Sequence, residues 1–173
     1  MRKILVVVDM QNDFIDGSLG TPEAQAIVEN VKAKIRSYRA EDIFATRDTH
    51  SADYLSTQEG KKLPVVHCVK GSHGWQIRED IAELLDNAVI VDKPTFGSTE
   101  LAQKIAAIAK NEEIAVELVG LCTDICVVSN ALLLKATLPE MPVSVDSSCC
   151  AGVSPATHKA ALETMRCCQV DVI

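Results

Sequence analysis

One cysteine of this chain stands where a thiol could act as a nucleophile. The apolar run 114–121 has the character of a buried strand, and Thr123-Asp124 then opens a helical pattern that continues to about Leu138. Cys126 therefore falls about three residues inside a helix N-terminus, where free N–H groups and the positive end of the helix dipole favour a thiolate. On its own such a cysteine is more often a packing residue, so the chemical interpretation depends on its neighbours.

Two further residues have the chemistry that a reacting thiol needs. Asp9 ends the apolar run 4–8, and a carboxylate there can take the proton of a thiol and later activate water. Lys93 follows the run 88–91, and its charge near Asp9 and Cys126 would lower the thiol pKa and hold the carboxylate. The competing interpretations are a turn residue for Asp9 and a solvated side chain for Lys93.

A third group of residues has the chemistry of metal ligands. Asp48 and His50 are two residues apart, so in an extended chain their side chains project to the same side. His67 supplies a second imidazole, and Glu59 a possible fourth ligand. Mixed nitrogen and oxygen ligands suit zinc, iron or manganese rather than calcium. The competing interpretation is that His50 and His67 are unrelated loop histidines that bind no metal.

The elements that must position these groups are short apolar runs separated by helical patterns. The runs are 3–8, 42–46, 88–91, 114–120, 142–145 and 170–173, and helices are predicted over 22–38, 77–85, 99–108, 123–138 and 155–165. Continuous apolar strands between helices predict a parallel sheet covered on both faces. Ligands of such sheets bind outside the carboxyl ends of the strands, which is where all the groups above lie. The irregular segment 48–75 exceeds an ordinary connection and is a candidate functional loop.

Length, charge and cysteine content narrow the class of protein. A length of 173 residues suits one domain, predicted over 1–173. The 17 basic and 24 acidic residues give a net charge of −7, which argues against nucleic acid or an anionic membrane as partner. No apolar run reaches the length of about 18 residues that spans a bilayer. Seven cysteines, an odd number with two adjacent pairs, indicate the reduced thiols of a cytoplasmic protein.

Five separated motifs carry a family resemblance that extends over nearly the whole chain. They are VDMQNDF at 8–14, RDTH at 47–50, HCVKG at 67–71, DKP at 92–94 and GLCTDICV at 120–127. Together they resemble the isochorismatase-like cysteine hydrolases, and within these the nicotinamidase branch. The resemblance implies a Rossmann-like three-layer α/β/α sandwich around a six-stranded parallel sheet. It also implies a catalytic triad of Cys126, Asp9 and Lys93.

The resemblance further implies a mechanism. Asp9 takes the proton of Cys126, and the thiolate attacks an amide carbonyl. The backbone N–H groups of Cys122 and Cys126 hold the oxyanion, with a cis peptide bond expected between Leu121 and Cys122. Ammonia leaves, a thioester forms, and water activated by Asp9 releases the acid.

A divalent metal site is also implied, because nicotinamidases hold an ion that binds the pyridine nitrogen. Asp48, His50 and His67 match its ligands and Glu59 is the expected fourth, with zinc as the first expectation and iron or manganese as alternatives. Phe14 matches an aromatic wall of the substrate pocket, although core packing is its other interpretation.

The chain also departs from the family pattern. Thr49 and Ser51 stand where many members have tryptophan and proline, and 62–64 reads Lys-Leu-Pro where a substrate-stacking tryptophan is common. Trp75, which follows the loop, is a candidate substitute whose position the sequence does not predict.

The leading prediction is a metal-containing cysteine amidohydrolase that converts nicotinamide to nicotinate and ammonia, a reaction of NAD salvage. Its partner is then a small-molecule amide, and the resemblance implies a homo-oligomer. One alternative keeps the triad and acts on a carbamoyl or ureido compound or another small amide. A second alternative is a catalytically silent binding protein, and a receiver-like signalling domain explains Asp9 and Lys93 but not Cys126.

Overall fold

The computed structural model describes residues 1–173 and contains one sheet of six parallel strands. The strands are β1 (Arg2–Val8), β2 (Ile43–Asp48), β3 (Val89–Lys93), β4 (Ile114–Leu121), β5 (Val143–Ala151) and β6 (Asp171–Val172). Their order across the sheet is β3-β2-β1-β4-β5-β6, and every neighbouring pair is parallel. The chain therefore builds the sheet outward in both directions from β1, and the strand order reverses between β1 and β4.

Eight helices connect the strands. They are α1 (Asn12–Ile15), α2 (Pro22–Ala26), α3 (Val28–Arg36), α4 (Gln58–Lys62), α5 (Glu79–Ala82), α6 (Thr99–Ala109), α7 (Val128–Thr137) and α8 (Pro155–Cys167). The hydroxyls of Thr21, Ser98 and Ser154 each accept a hydrogen bond from a backbone N–H in the first turn of α2, α6 and α8. These caps satisfy donors that the helices leave unpaired, as the sequence pattern predicts. None of the helices combines the length and the apolar character needed to cross a bilayer.

Two hydrophobic cores lie on opposite faces of the sheet, because successive side chains of a strand point to opposite sides. Ile4, Val6 and Val8 of β1 join the core of 21 buried residues that α6, α7 and α8 cover. Leu5 and Val7 join the other core, of 19 buried residues, under α2 and α3. The predicted three-layer α/β/α sandwich is confirmed, and both cores hold β1 rigidly behind Asp9.

Several element boundaries differ from those that the sequence predicts. The helix predicted over 22–38 is divided at Ile27, where no glycine or internal proline marks the break. The helix predicted over 77–85 is regular only in α5 and continues to Leu85 as turns with i→i+3 hydrogen bonds. Strand β5 runs six residues beyond Val145, because it pairs again with β4 after a register shift between Leu118 and Gly120. All seven cysteines are free thiols.

Candidate active site

The chemically capable residues predicted from the sequence converge at the carboxyl ends of four adjacent strands. Asp9 follows β1, Asp48 and Lys93 end β2 and β3, and Cys126 lies just beyond β4. This edge includes the point between β1 and β4 at which the strand order reverses, where open α/β sheets bind ligands.

Lys93 lies between a carboxylate and the thiol. Its Nζ is 2.7 Å from Oδ2 of Asp9 and 3.3 Å from Sγ of Cys126, and both charged side chains are fully buried. The hydroxyl of Thr46 donates to Oδ1 of Asp9 at 2.6 Å. Oδ2 of Asp9 is buried, and its near neighbour is the Lys93 ammonium, although the two do not form a well-aligned hydrogen bond. Asp9 also has a φ of 47°, in the left-handed region, a conformation that tends to occur at functional sites.

Burial shifts the pKa values of both Cys126 and Asp9. Burial and the charge of Asp9 raise the pKa of the Cys126 thiol well above its usual value, although Lys93 lowers it. Burial also raises the pKa of Asp9, and Lys93 opposes that shift. The expected effect of Lys93 on both pKa values is therefore present. Burial of the thiol opposes the thiolate form that a position near a helix N-terminus would favour.

The chain around Cys126 forms a π-helical turn, Thr123–Val127, that leads into α7. The peptide bond between Leu121 and Cys122 is cis, as expected. The carbonyl of Cys122 accepts hydrogen bonds from the N–H groups of Ile125 and Val127, both at 3.1 Å. Asn130 of α7 donates to the carbonyl of Cys126 at 2.8 Å. Cys126 is thus held from both ends of the turn.

The four predicted metal ligands are brought together in the segment after β2. Asp48, His50, Glu59 and His67 each offer one ligand atom, and these atoms all lie within 4.8 Å of one another. The ring Nδ1 of His67 is 2.8 Å from the carbonyl of Val65, which leaves Nε2 facing the cluster. Nε2 of His50 is buried 2.9 Å from Oδ2 of Asp48 and 3.7 Å from Oε1 of Glu59, without a well-aligned hydrogen bond to either. Two ring nitrogens and two carboxylates that converge in this way are the ligand types that a divalent cation binds, so the residues fit a metal.

Cys126 and three of the four candidate metal ligands line one cavity of about 550 Å³. Cys122, Cys126, Asp48, Glu59 and His67 all line it. A wider groove of about 880 Å³ near Arg47 and Arg78 contains neither the thiol nor the ligand cluster. The smaller cavity is therefore the candidate substrate pocket.

Comparison with known proteins decides the family. The family model described as "Isochorismatase domain" matches residues 3–173. The chain belongs to the isochorismatase family.

Individual relatives of this isochorismatase-family chain agree with that assignment. A nicotinamidase/pyrazinamidase of Mycobacterium tuberculosis is 29% identical over 189 residues, covering 99% of this chain and 98% of that protein. A nicotinamidase of Saccharomyces cerevisiae is 31% identical over 122 residues, covering 53% of this chain and 56% of that protein. The crystal structure of the pyrazinamidase of Pyrococcus horikoshii in complex with zinc has a TM-score of 0.81 and 27% identity, covering 100% of this chain and 99% of that one. These similarities indicate a hydrolase acting on amide bonds.

Two aromatic residues singled out in the sequence have different positions in the family fold. Phe14 lines the cavity, with its ring centroid 5.6 Å from that of His67. Trp75 does not line it; its ring packs under the guanidinium of Arg47, and its Nε1 donates to Oγ1 of Thr49 at 2.9 Å. Trp75 therefore supports the loop from outside the pocket and does not replace a stacking tryptophan.

Some residues around the site have roles that the sequence analysis missed. The side chain of Gln11 donates to the carbonyl of Asp48 and accepts from its N–H, at 2.8 and 2.7 Å, and so fixes the backbone of a metal ligand. The carboxylate of Asp13 accepts from the N–H of Cys68, next to His67. The sequence did hold a sign of these roles, because Gln11 and Asp13 are polar residues in a short segment that also contains Met10, Phe14 and Ile15. Phe96 and Val153 also line the cavity, and only their exposure in the fold identifies them.

Proposed function

We propose that this protein is a metal-containing cysteine amidohydrolase that converts nicotinamide to nicotinate and ammonia. The observation that carries the proposal is that the thiol of Cys126 and the ligand cluster line the same cavity. A small heteroaromatic amide has an electrophilic carbonyl carbon and a ring nitrogen with a lone pair, and it could contact both at once. The names of the relatives, nicotinamidase and pyrazinamidase, describe amides of this class.

In this proposal three residues carry out the covalent chemistry. Asp9 accepts the proton of the Cys126 thiol, and Sγ attacks the amide carbon to form a C–S bond. Lys93 keeps Asp9 ionised and in place between the two proton transfers. The N–H groups of Cys122 and Cys126 stabilise the oxyanion, and such donors contribute about 3–4 kcal/mol each. Asp9 then returns its proton to the leaving nitrogen, so that the C–N bond breaks and ammonia departs.

The second half of the reaction regenerates the thiol. Asp9, ionised again, takes a proton from a water molecule that attacks the thioester carbon. The C–S bond breaks, the thiol recovers its proton from Asp9, and the carboxylic acid leaves. Across both halves, one amide and one water become one acid and one ammonia.

The ligand cluster has a separate role, in binding. Asp48, His50, Glu59 and His67 would hold the divalent ion, zinc being the first expectation and iron or manganese the alternatives. When bound, the ion supplies a Lewis-acid contact for the ring nitrogen. Phe14, on the same wall as His67, would pack against the ring.

The decisive experiment measures ammonia release from nicotinamide by the metal-loaded protein. We expect the Cys126→Ala variant to lose at least about a thousandfold in kcat. Cys150→Ala is a matched control, because Cys150 is as deeply buried as Cys126 (4% and 3% exposed) but does not line the cavity. Turnover that survives in Cys126→Ala would refute the thiol mechanism. A metal-loaded native protein without turnover would refute nicotinamide as the substrate.

A further inference from the structure

The substrate pocket is larger than the proposed reaction requires. Cavities of about 300–1,000 Å³ enclose drug-sized ligands, and this one has about 550 Å³. A single pyridine ring with a carboxamide is much smaller than such a ligand. With the amide at Cys126 and the ring against Phe14, the outer part of the cavity remains for another group.

The outer part of the cavity is apolar and is built from separate loops. Leu63 follows α4, Phe96 follows β3 and Val153 follows β5, and their exposed fractions are 36%, 40% and 56%. With Leu19, which lines the same cavity, they form what we call the vestibule. Large apolar side chains exposed around the mouth of a pocket mark a surface that is covered when ligand binds.

The vestibule is also nearly free of charge. Apart from the residues of the ligand cluster, Lys62 is the one charged residue that lines the cavity. The loop that carries Val153 is anchored, because the backbone N–H of Val153 donates to the carboxylate of Asp124 at 3.1 Å. The vestibule is thus an apolar wall, suited to an uncharged hydrocarbon group.

We propose that the vestibule binds an alkyl substituent on the substrate ring, so that alkylated heteroaromatic amides are favoured over the unsubstituted ring. The inference rests on the proposed function and specifies its substrate class. A ring whose nitrogen faces the ligand cluster and whose amide faces Cys126 has one carbon between these two anchors. The ring position opposite that carbon, C5 of a nicotinamide, points away from both anchors, and in this proposal its substituent occupies the vestibule.

The first test measures binding without turnover. Metal-loaded Cys126→Ala protein is titrated calorimetrically with nicotinamide and with 5-butylnicotinamide. Each buried methylene strengthens binding by about three- to fourfold, so we expect the butyl compound to bind at least about tenfold more tightly. Its binding should also show a more negative heat-capacity change, the signature of apolar burial. Equal or weaker binding of the butyl compound overturns the inference.

The second test compares kcat/KM for the two amides in the native protein and two variants. Phe96→Ala removes a vestibule side chain and should reduce the preference for the butyl compound several-fold. Val89→Ala is the matched control, because Val89 is similarly exposed (42%) but lies on β3 outside the cavity. The preference of Val89→Ala for the butyl compound should equal that of the native protein. An unchanged preference in Phe96→Ala overturns the inference.

The two proposals fail in distinguishable ways. If nicotinamide is hydrolysed and the butyl compound has no advantage, the vestibule inference alone is refuted. If the metal-loaded protein neither binds nor hydrolyses either compound, the proposed function is refuted with it.

Discussion

At the scale of single residues, the most consequential feature is a buried ammonium shared by two carboxylates. Nζ of Lys93 is 2.7 Å from Asp9 and 3.4 Å from Asp48, and Lys93 is fully buried. Burial favours the neutral form of an amine, but the charges of Asp9 and Asp48 hold the pKa of Lys93 above its ordinary value. The ammonium is therefore part of the stability of the fold as well as of the proposed chemistry.

We expect Lys93→Met to destabilise the protein by about 3–5 kcal/mol, because it leaves Asp9 buried without a cation. The double variant Asp9→Asn/Lys93→Met should lose clearly less than the sum of the two single variants, since it removes both charges. Urea unfolding of the four proteins at neutral pH measures this coupling. Additive losses would mean that the ion pair contributes nothing specific.

The stability of the Lys93→Met variant should depend on pH in a defined direction. Burial already raises the pKa of Asp9, and loss of Lys93 removes an interaction that lowers it. The folded protein would then bind a proton more readily than the unfolded chain, so its stability should rise as the pH falls. The loss caused by Lys93→Met should therefore be smaller near pH 5 than at pH 8.

At the scale of elements, the close approach of β1 and β4 positions Asp9 near the turn that carries Cys126. Gly120, near the end of β4, has a φ of 117°, and a Cβ there would overlap the carbonyl of Val8. Val8 immediately precedes Asp9. Glycine is needed at this position both for its backbone conformation and for the contact between the strands.

We expect Gly120→Ala to cost about 2–4 kcal/mol, from backbone strain and steric overlap together. Displacement of Asp9 should also lower kcat/KM by tenfold or more. Gly71→Ala is the control: Gly71 also has a positive φ, 85°, but nothing within 4 Å of the added carbon. Gly71→Ala should lose only about 1 kcal/mol of unfolding free energy, from backbone strain alone. Equal unfolding free energies for the two variants would contradict this account.

At the scale of the whole molecule, the ligand cluster joins β2 to the long segment that follows it. The four ligands are spread over residues 48–67, a stretch whose regular structure is limited to α4 and one short turn, Tyr54–Ser56. An ion bound there would stabilise the folded chain by mass action, because the unfolded chain has no assembled site.

Metal removal should therefore lower the melting temperature of the entire chain. A free-metal concentration a hundredfold above Kd contributes about 2.7 kcal/mol, which for a chain of this size corresponds to roughly 5–10 °C. Calorimetric melting with and without a chelator measures the shift, and a single domain predicts one transition. Cys126→Ala should respond like the native protein, whereas His50→Ala should not respond. A metal-dependent shift retained by His50→Ala would place the ion elsewhere.

The sequence alone determined which residues could meet. Six apolar runs separated by helices predict a parallel sheet, and a parallel sheet collects the residues that follow its strands at one edge. Asp9, Asp48, Lys93 and Cys126 were identifiable in this way, because each lies at or just beyond the end of an apolar run. The pairing of Asp48 with His50 followed from strand geometry over two residues. These are local properties that a linear pattern records.

Only the tertiary structure decided what surrounds those residues. Burial raises the pKa of the Cys126 thiol, and burial depends on segments distant in the chain. The vestibule is formed by four loops, and no spacing in the sequence relates Phe96 to Val153. Sequence spacing likewise does not predict that the ring of Trp75 packs against Arg47 and lies outside the cavity. Periodicity specifies which face of an element is apolar, whereas solvation and pocket shape arise when separate elements pack together.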